Sequence, residues 1–170
     1  MNIRKLSVAD AESYWALRLQ SLKQSPESFL MTYEEELQIE NPVQIYSEKI
    51  KSNNGYTYGA FVNDELIGVV TLQLETPLKI RHKANILAMF VSQKHRGLKI
   101  GRLLMQHLIE NAKLLELEQL HLTVVSTNIA AKNLYTSLGF SRYGLEEKAL
   151  KLSGQYWDEE HMVLFLTSSN

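Results

Sequence analysis

Residues 91–104, VSQKHRGLKIGRLL, decide the fold of this chain. They follow the apolar run Ala84–Val91, which predicts a buried strand, and apolar residues then recur at helical spacing from Ile100 to Leu115. A strand thus leads through a basic loop with glycines into an amphipathic helix. The free N–H groups of a helix N-terminus bind anions, and glycine lets a phosphate approach the backbone. The stretch predicts a polyphosphate site, although two glycines alone fit an ordinary solvated turn equally well.

The charge around this loop is one-sided. Between Thr76 and Ile109, one fifth of the chain, there is no Asp or Glu, whereas an even spread of the 19 acids would place about four there. The seven basic residues of this window are Lys79, Arg81, Lys83, Lys94, Arg96, Lys99 and Arg102. The better-known phosphate loops G-x-G-x-x-G and G-x-x-x-x-G-K-[ST] do not occur, so their folds are excluded.

A second informative segment is Asn128–Phe140, NIAAKNLYTSLGF. Thr127 or Asn128 can cap its helix, and Gly139 ends it. Tyr135 lies at the edge of the apolar stripe, from which its hydroxyl can reach a cleft. In isolation a buried core tyrosine is the commoner case. Beside the basic loop, the segment favours a ligand cleft.

The remaining patterns predict an α/β chain of one domain, residues 1–170, in the order β α α β β β α β α β β. No linker or repeat divides the sequence. We expect residues 25–40 to be irregular. The predicted strands are 2–6, 56–62, 66–74, 84–91, 120–125, 143–152 and 160–166, and the helices span 11–25, 43–51, 100–115 and about 129–138.

Composition narrows the function classes. The chain has 18 Lys and Arg, 19 Asp and Glu and no Cys. The near-neutral charge disfavours a general nucleic-acid binder, and the lack of Cys excludes disulfides, thiol catalysis and thiolate metal sites. The five His residues show no metal-ligand spacing, so no metal is predicted. Without an apolar leader or span, we expect a cytoplasmic protein with no membrane partner.

The two segments together resemble the GNAT superfamily of acetyl-CoA-dependent N-acetyltransferases. Its pattern V-x-P-x-x-R-G-x-G-x-[GA] at a helix start is matched by Val91, Arg96, Gly97, Ile100 and Gly101. Its pattern N-x-x-A-x-x-L-Y-x-x-x-G-F is matched by Asn128, Ala131, Leu134, Tyr135, Gly139 and Phe140. The resemblance implies that family's fold, a central mixed and mostly antiparallel sheet of about seven strands flanked by about four helices.

Two positions depart from the family pattern. Gln93 stands at the usual Pro, and Lys99 stands at the usual middle Gly. A Cβ needs room that Gly leaves free, so Lys99 puts a tight approach of the loop to the pyrophosphate in doubt. We hypothesise that Lys99 compensates by contacting a coenzyme A phosphate.

The resemblance implies direct transfer of an acetyl group from acetyl-CoA to a primary amine of a small molecule, peptide or protein. Tyr135 is then the general acid for the departing thiolate. The residues implied to bind the cofactor are Met89, Phe90, Val91, Arg96, Gly97, Leu98, Lys99, Ile100, Gly101, Arg102, Asn128, Ala131 and Tyr135. The alternative is an acyl-CoA-binding regulatory module without turnover.

The general base is left open. Glu75, near the end of a predicted strand, is one candidate, and Glu34, Glu35 and Glu36 are candidates for the base and for contact with the substrate amine. A solvated charge run explains the three consecutive carboxylates more simply. The identity of the amine and the oligomeric state also stay open, a homodimer being one option.

Overall fold

The computed structural model describes residues 1–166, so residues 167–170 of the predicted domain lie outside the described part of the chain. The strands are β1 Asn2–Lys5, β2 Gly55–Val62, β3 Glu65–Leu74, β4 Lys83–Val91, β5 Gln119–Val125, β6 Ser141–Leu152 and β7 Gln155–Phe165. The α-helices are α1 Ala11–Gln24, α2 Tyr33–Leu37, α3 Pro42–Lys51, α4 Ile100–Leu114 and α5 Ile129–Ser137. Short 3-10 turns occupy Val8–Asp10, Pro26–Ser28 and Gln93–His95.

The strands form one seven-stranded sheet in the order β1-β2-β3-β4-β5-β7-β6. Every neighbouring pair is antiparallel except β4 and β5, which run parallel. The mixed, mostly antiparallel sheet expected from the family resemblance is confirmed.

The junction of β4 and β5 is short. Only three residue pairs join them, from Lys83 opposite Gln119 to Asn85 opposite His121. Beyond this point the two strands continue without pairing to Val91 and Val125. Parallel strands that separate in this way leave a gap in the sheet at the ends from which α4 and α5 begin.

A bulge in β4 lies beside this gap. The pairing of β3 with β4 shifts between Val69 opposite Phe90 and Thr71 opposite Leu87, and Ala88 takes a φ of 53°. A bulge leaves its extra residue out of the ladder and bends the strand. The backbone around Ala88 is thereby released from sheet pairing where β4 borders the gap.

The two faces of the sheet are covered differently. On one face α4 and α5 pack against β2–β5 and β7, with Leu104, Met105 and Leu108 fully buried. On the other face the buried cluster joins α1 and α3 to residues of β2, β3 and β4, and within residues 1–166 it contains none from β5, β6 or β7. The second face of β5, β7 and β6 is therefore open.

Three predictions about elements need correction. The segment predicted to be irregular contains α2, which a capping box of Thr32 and Glu35 starts. The last two strands extend to a tight hairpin at Ser153 and Gly154, where both residues have positive φ, as a type I′ turn requires. β4 is not buried on both faces, because Leu87 is 48% exposed beside the gap in the sheet.

Candidate active site

A cleft of about 1830 Å³ opens where β4 and β5 separate. We divide its lining into two sides. The loop side consists of the end of β4 from Met89, the loop 92–99 and the first turns of α4 and α5. The strand side consists of cleft residues from α1 and segment 25–31, from α3 and β2, from the stretch 71–88, and from the open face of β5, β7 and β6.

The loop before α4 turns on two left-handed residues. Gly97 has a φ of 82°, and Lys99, the N-cap of α4, has a φ of 60°. An ideal Cβ on Gly97 would meet no atom within 4 Å, so this position needs glycine for its backbone conformation and not for space. Lys99 adopts a conformation that costs a non-glycine residue about 1 to 2 kcal/mol. The loop thus keeps the shape of a glycine turn although one of its glycines is replaced.

The two arginines of the loop side bond to neutral groups. The Arg96 guanidinium donates hydrogen bonds to the Val91 carbonyl at 3.4 Å and the Ser25 hydroxyl at 3.2 Å, and Arg102 donates to the Ser137 hydroxyl at 2.6 Å. Within residues 1–166, neither arginine forms an ion pair with a carboxylate. Their positive charge is available to an anion at the start of α4, where the helix leaves backbone N–H groups unpaired.

Gly101 allows α4 to start close against its neighbours. A Cβ at this position would lie 3.0 Å from Cε of Met89 and 3.4 Å from Cδ2 of Leu134. The glycine therefore serves close packing, unlike Gly97. Small residues at this point keep the N-terminal turns of α4 and α5 near each other beside the cleft.

The start of α5 is fixed by its own side chains. Asn128 caps the helix, because its side-chain oxygen accepts the Ala131 N–H at 3.1 Å. The side-chain amide nitrogen of Asn128 remains available as a donor. Lys132 pairs with Glu160 of β7 at 2.7 Å and donates to the Ser126 carbonyl at 3.1 Å, which ties this turn to the sheet.

Tyr135 lies in α5 on the loop side of the cleft and is 7% exposed. Burial raises the pKa of Tyr135 to about 12. Its phenol therefore holds its proton at neutral pH, which is the state that a proton donor needs. The Tyr135 ring packs against Phe140, with 6.0 Å between the ring centroids, so a residue of the same motif holds the side chain in place.

Most of the other predicted cofactor residues also line the cleft. The Met89 and Val91 side chains pack on the face of the sheet that α4 covers. The Phe90 side chain packs with α1 and α3 on the opposite face. Ile100 and Ala131 contribute to the lining. Leu98 does not belong to it, and its side chain is 64% exposed.

The predicted carboxylates fall in different places. Glu75 lines the strand side, where its carboxylate accepts a hydrogen bond from the Asn85 amide at 2.7 Å. Glu34, Glu35 and Glu36 are not among the cleft-lining residues. Glu34 is exposed, and Glu35 is engaged in capping α2.

Glu36 departs most from the solvated charge run that the sequence predicts. Its side chain is fully buried and accepts hydrogen bonds from Nε of Arg18 at 2.8 Å and from the Tyr46 hydroxyl at 2.5 Å. Burial and the hydrogen bond to Glu36 raise the pKa of Tyr46. Arg18 and Tyr46 both line the cleft, so Glu36 supports its wall from behind.

Sequence reasoning missed a second polar group, on the open face of β5, β7 and β6. His121, Tyr143, Glu159 and His161 line the strand side there. Burial, with nearby Lys83 and His82, lowers the pKa of His121, and burial together with Glu146 raises the pKa of Glu159. The alternation of His121 and Thr123 with apolar residues along β5 indicates that one face of this strand is exposed to solvent.

Two further properties bear on function. In the described part of the chain, no group of three or more His, Asp or Glu side chains is arranged to hold a metal ion. Likewise, none of the helices in residues 1–166 has the length and apolar character to cross a membrane.

The fold and the motifs agree with comparisons to known proteins. The sequence profile of the acetyltransferase (GNAT) family matches residues 17–140. The chain is similar to a GNAT-family acetyltransferase from Streptococcus pneumoniae, with 24% identity and a TM-score of 0.81 over 97% of this chain and 99% of that one. No curated protein is significantly similar to it in sequence.

Two other solved structures share the fold. The ribosomal-protein-alanine N-acetyltransferase of Brucella melitensis has 22% identity and a TM-score of 0.80, with 98% of this chain and 100% of that one covered. The yncA protein of Salmonella typhimurium, whose structure contains its cofactor acetyl-CoA, has 19% identity and a TM-score of 0.84, with 98% and 94% covered. At these identities the likeness shows a common fold.

Proposed function

The chain belongs to the acetyltransferase (GNAT) family, with acetyl-CoA as the acetyl donor, and from that premise we propose that it acetylates the nitrogen of a primary amine. The acceptor is a small molecule or the amine of a peptide or protein. One observation carries the proposal: the gap between β4 and β5 has the unpaired N–H groups of α4 and the buried Tyr135 hydroxyl on its loop side.

Acetyl-CoA fits the loop side by charge and by shape. The backbone of Met89, Phe90 and Val91 would run beside the pantetheine arm, and the Asn128 amide nitrogen would donate to it, with Ala131 leaving room. The residues that would hold the pyrophosphate are Arg96, Gly97, Leu98, Lys99, Ile100, Gly101 and Arg102. Because the Leu98 side chain is exposed, its contribution would come from the backbone.

The same stretch of β4 supports the chemical step. Its bulge at Ala88 leaves backbone out of the ladder next to the cleft. A backbone N–H there would stabilise negative charge on the thioester carbonyl oxygen as the amine attacks. The C–N bond forms as the C–S bond breaks, and Tyr135 donates its proton to the departing sulfur.

The acceptor amine must be neutral to attack. An amine with a pKa of about 10.4 is neutral in about one molecule in 10³ to 10⁴ at pH 7, so deprotonation costs about 4 to 5 kcal/mol. Glu75 is the base candidate that the sequence supplies, and it lies on the strand side with the Asn85 amide against its carboxylate. Glu34, Glu35 and Glu36 lie outside the lining, so direct contact with the acceptor would require them to move.

A thiol-release assay with a panel of amines tests the proposed function. The panel contains free amino acids, polyamines, aminoglycosides and a peptide with N-terminal alanine, the last because the Brucella relative is named for that substrate. We expect thiol release equal in amount to acetylated amine. Binding of acetyl-CoA without turnover on any amine would favour the alternative, a regulatory module that binds acyl-CoA.

The proposal has three further parts. The site needs neither nucleic acid nor membrane as a partner, and we propose that the enzyme acts in the cytoplasm. Imaging of a fluorescently tagged full-length chain tests the location. The third part is a homodimer. Light scattering of the purified chain over a range of concentrations tests it.

A further inference from the structure

The open face of the sheet carries a group of polar side chains, most of them titratable, that neither family motif contains. It consists of His121 and Thr123 of β5, Glu159 and His161 of β7, and Tyr143 and Glu146 of β6. The strand register places these residues on one face, because His161 lies opposite Thr123 and Glu159 lies opposite Glu146. Within residues 1–166 the buried cluster of α1 and α3 does not cover them, and all of them except Glu146 line the cleft.

His161 lies at the centre of this group. Its Nε2 is 3.3 Å from a carboxylate oxygen of Glu146, and its Nδ1 is 3.4 Å from the Thr123 hydroxyl. A carboxylate only accepts hydrogen bonds, so the neutral imidazole carries its hydrogen on Nε2. Its lone pair is then on Nδ1, the nitrogen near the Thr123 hydroxyl, and both residues line the cleft.

The Glu146 carboxylate also gives the proton a way out. Its side chain is 58% exposed, while the His161 side chain is 31% exposed. An imidazolium formed at His161 would lie between this carboxylate and the cleft. It could pass its proton to solvent along the exposed edge of β6.

The other ionisable groups around His161 are less suited to take a proton from an amine. His121 has its Nε2 3.0 Å from the Gln119 side-chain oxygen and its Nδ1 3.4 Å from the Tyr143 hydroxyl. Lys83 and His82 add positive charge near it, which disfavours a further proton. Burial and the charge of Glu146 raise the pKa of Glu159, but within residues 1–166 no side-chain hydrogen bond orients its carboxylate as Glu146 orients His161.

We propose that His161, oriented by Glu146, is the general base that takes the proton from the acceptor ammonium, directly or through the Thr123 hydroxyl. This inference rests on the proposed function. The ammonium nitrogen loses two protons when an amide forms. The first proton passes through His161 to solvent and leaves the lone pair that forms the C–N bond. The second proton leaves the nitrogen after attack and equals in number the proton that Tyr135 gives to the sulfur.

His161→Gln is the central variant, because glutamine retains an N–H for Glu146 and lacks a basic nitrogen. For the best acceptor of the amine panel, we expect kcat/KM at pH 7 to fall about 10²-fold or more and the acidic limb of its pH profile to disappear. His107→Gln is the matched control, since His107 lies on α4 outside the cleft lining. Calorimetry should give every variant the wild-type affinity for acetyl-CoA.

Two further arms separate a base from a structural residue. Glu146→Gln should lower kcat/KM less than His161→Gln does and should keep the acidic limb, because the imidazole loses the group that orients it but keeps its basic nitrogen. Ethylamine and 2,2,2-trifluoroethylamine differ little in size, but the fluorinated amine is already neutral at pH 7. His161→Gln should therefore lose much more rate with ethylamine than with its fluorinated analogue.

The outcomes distinguish the proposed function from the assignment of the general base. Wild-type protein that releases no thiol with any amine would overturn the proposed function itself. Wild-type turnover with an unchanged pH profile in His161→Gln would overturn only the assignment of the base, as would equal losses with both amines. Loss of the acidic limb in Glu75→Gln, with His161→Gln unaffected, would give the role to Glu75.

Discussion

The loop side and the strand side of the cleft are built in different ways. The loop side comes from two segments, 89–102 and 127–135, and uses mainly backbone groups, glycines and helix N-termini. The strand side uses polar side chains from distant places, such as Arg18 of α1, Glu75 directly after β3 and His161 of β7. Backbone geometry follows from a local motif, whereas a wall of side chains needs the finished sheet.

The difference has a consequence for function. A site made of backbone suits a ligand that every member of a family shares, since side chains can vary around it. A site made of side chains can change its acceptor with a few substitutions. We therefore expect substitutions on the loop side, other than at the proton donor Tyr135, to change the KM for acetyl-CoA, and substitutions on the strand side to change the KM for the amine. Exceptions would break this division.

The largest effect is expected behind the strand side, at Glu36. Glu36→Ala leaves the Arg18 guanidinium half-buried without its carboxylate, and breaking such a pair costs about 3 to 5 kcal/mol of the free energy of unfolding. Urea titration measures the loss. Glu34→Ala is the control from the same run of acids, and because Glu34 is exposed its effect should stay within about 0.5 kcal/mol. Equal effects of the two variants would mean that the run is a solvated surface.

The next effect concerns chemistry on the loop side. Tyr135→Phe should lower kcat about 10²-fold or more while acetyl-CoA affinity stays near that of the wild type, because only the proton donor is removed. Stopped-flow detection of thiol release measures the chemical step, and calorimetry measures the affinity. A kcat within a few-fold of the wild type would remove Tyr135 from the role of general acid.

A smaller effect is expected at Gly97, where the backbone alone is tested. Gly97→Ala forces an alanine into a φ of 82° and should lower the free energy of unfolding by about 1 to 2 kcal/mol. No steric clash contributes, since the space around Gly97 is empty. Gly101→Ala is the comparison: its Cβ would meet only the flexible end of Met89 at 3.0 Å, so thermal unfolding should change less there.

The smallest effect, with opposite signs for stability and affinity, is expected at Lys99. Lys99→Gly relieves a left-handed conformation and should raise the free energy of unfolding by up to about 1 kcal/mol. The same change removes a positive charge from the loop side, so acetyl-CoA should bind several-fold more weakly and with a shallower dependence on salt. Unchanged affinity and salt dependence would show that Lys99 does not contact a coenzyme A phosphate.

Much of the loop side could be predicted from the sequence. The strand before the loop and the helix that starts at Ile100 occur as predicted, and of the two predicted cap candidates Asn128 caps α5. Each depends on hydrogen bonds and apolar spacing over a few residues, which a sequence displays directly. The prediction for Leu98 illustrates the limit even here, because its place in the motif did not reveal that its side chain is exposed.

The strand side could not be predicted in the same way. The three consecutive glutamates gave no sign that Glu36 alone is buried, since the partners that accommodate it, Arg18 and Tyr46, are 18 residues before it and 10 residues after it in the chain. His161 and Glu146 gave no sign of being neighbours either, because the pairing of β6 with β7 is shifted by bulges between Arg142 and Gly144 and between Glu146 and Leu150.

By itself, the sequence determined the family resemblance, the acetyl donor and the stretch that would bind it, because the acid-free loop and the helix starts at Ile100 and Ile129 are local features of the backbone. Only the tertiary structure decided where β4 leaves β5, which carboxylate is buried and which histidine faces the cleft. These depend on strand register and on contacts between distant residues, and a shift of one residue in a strand turns every side chain to the other face.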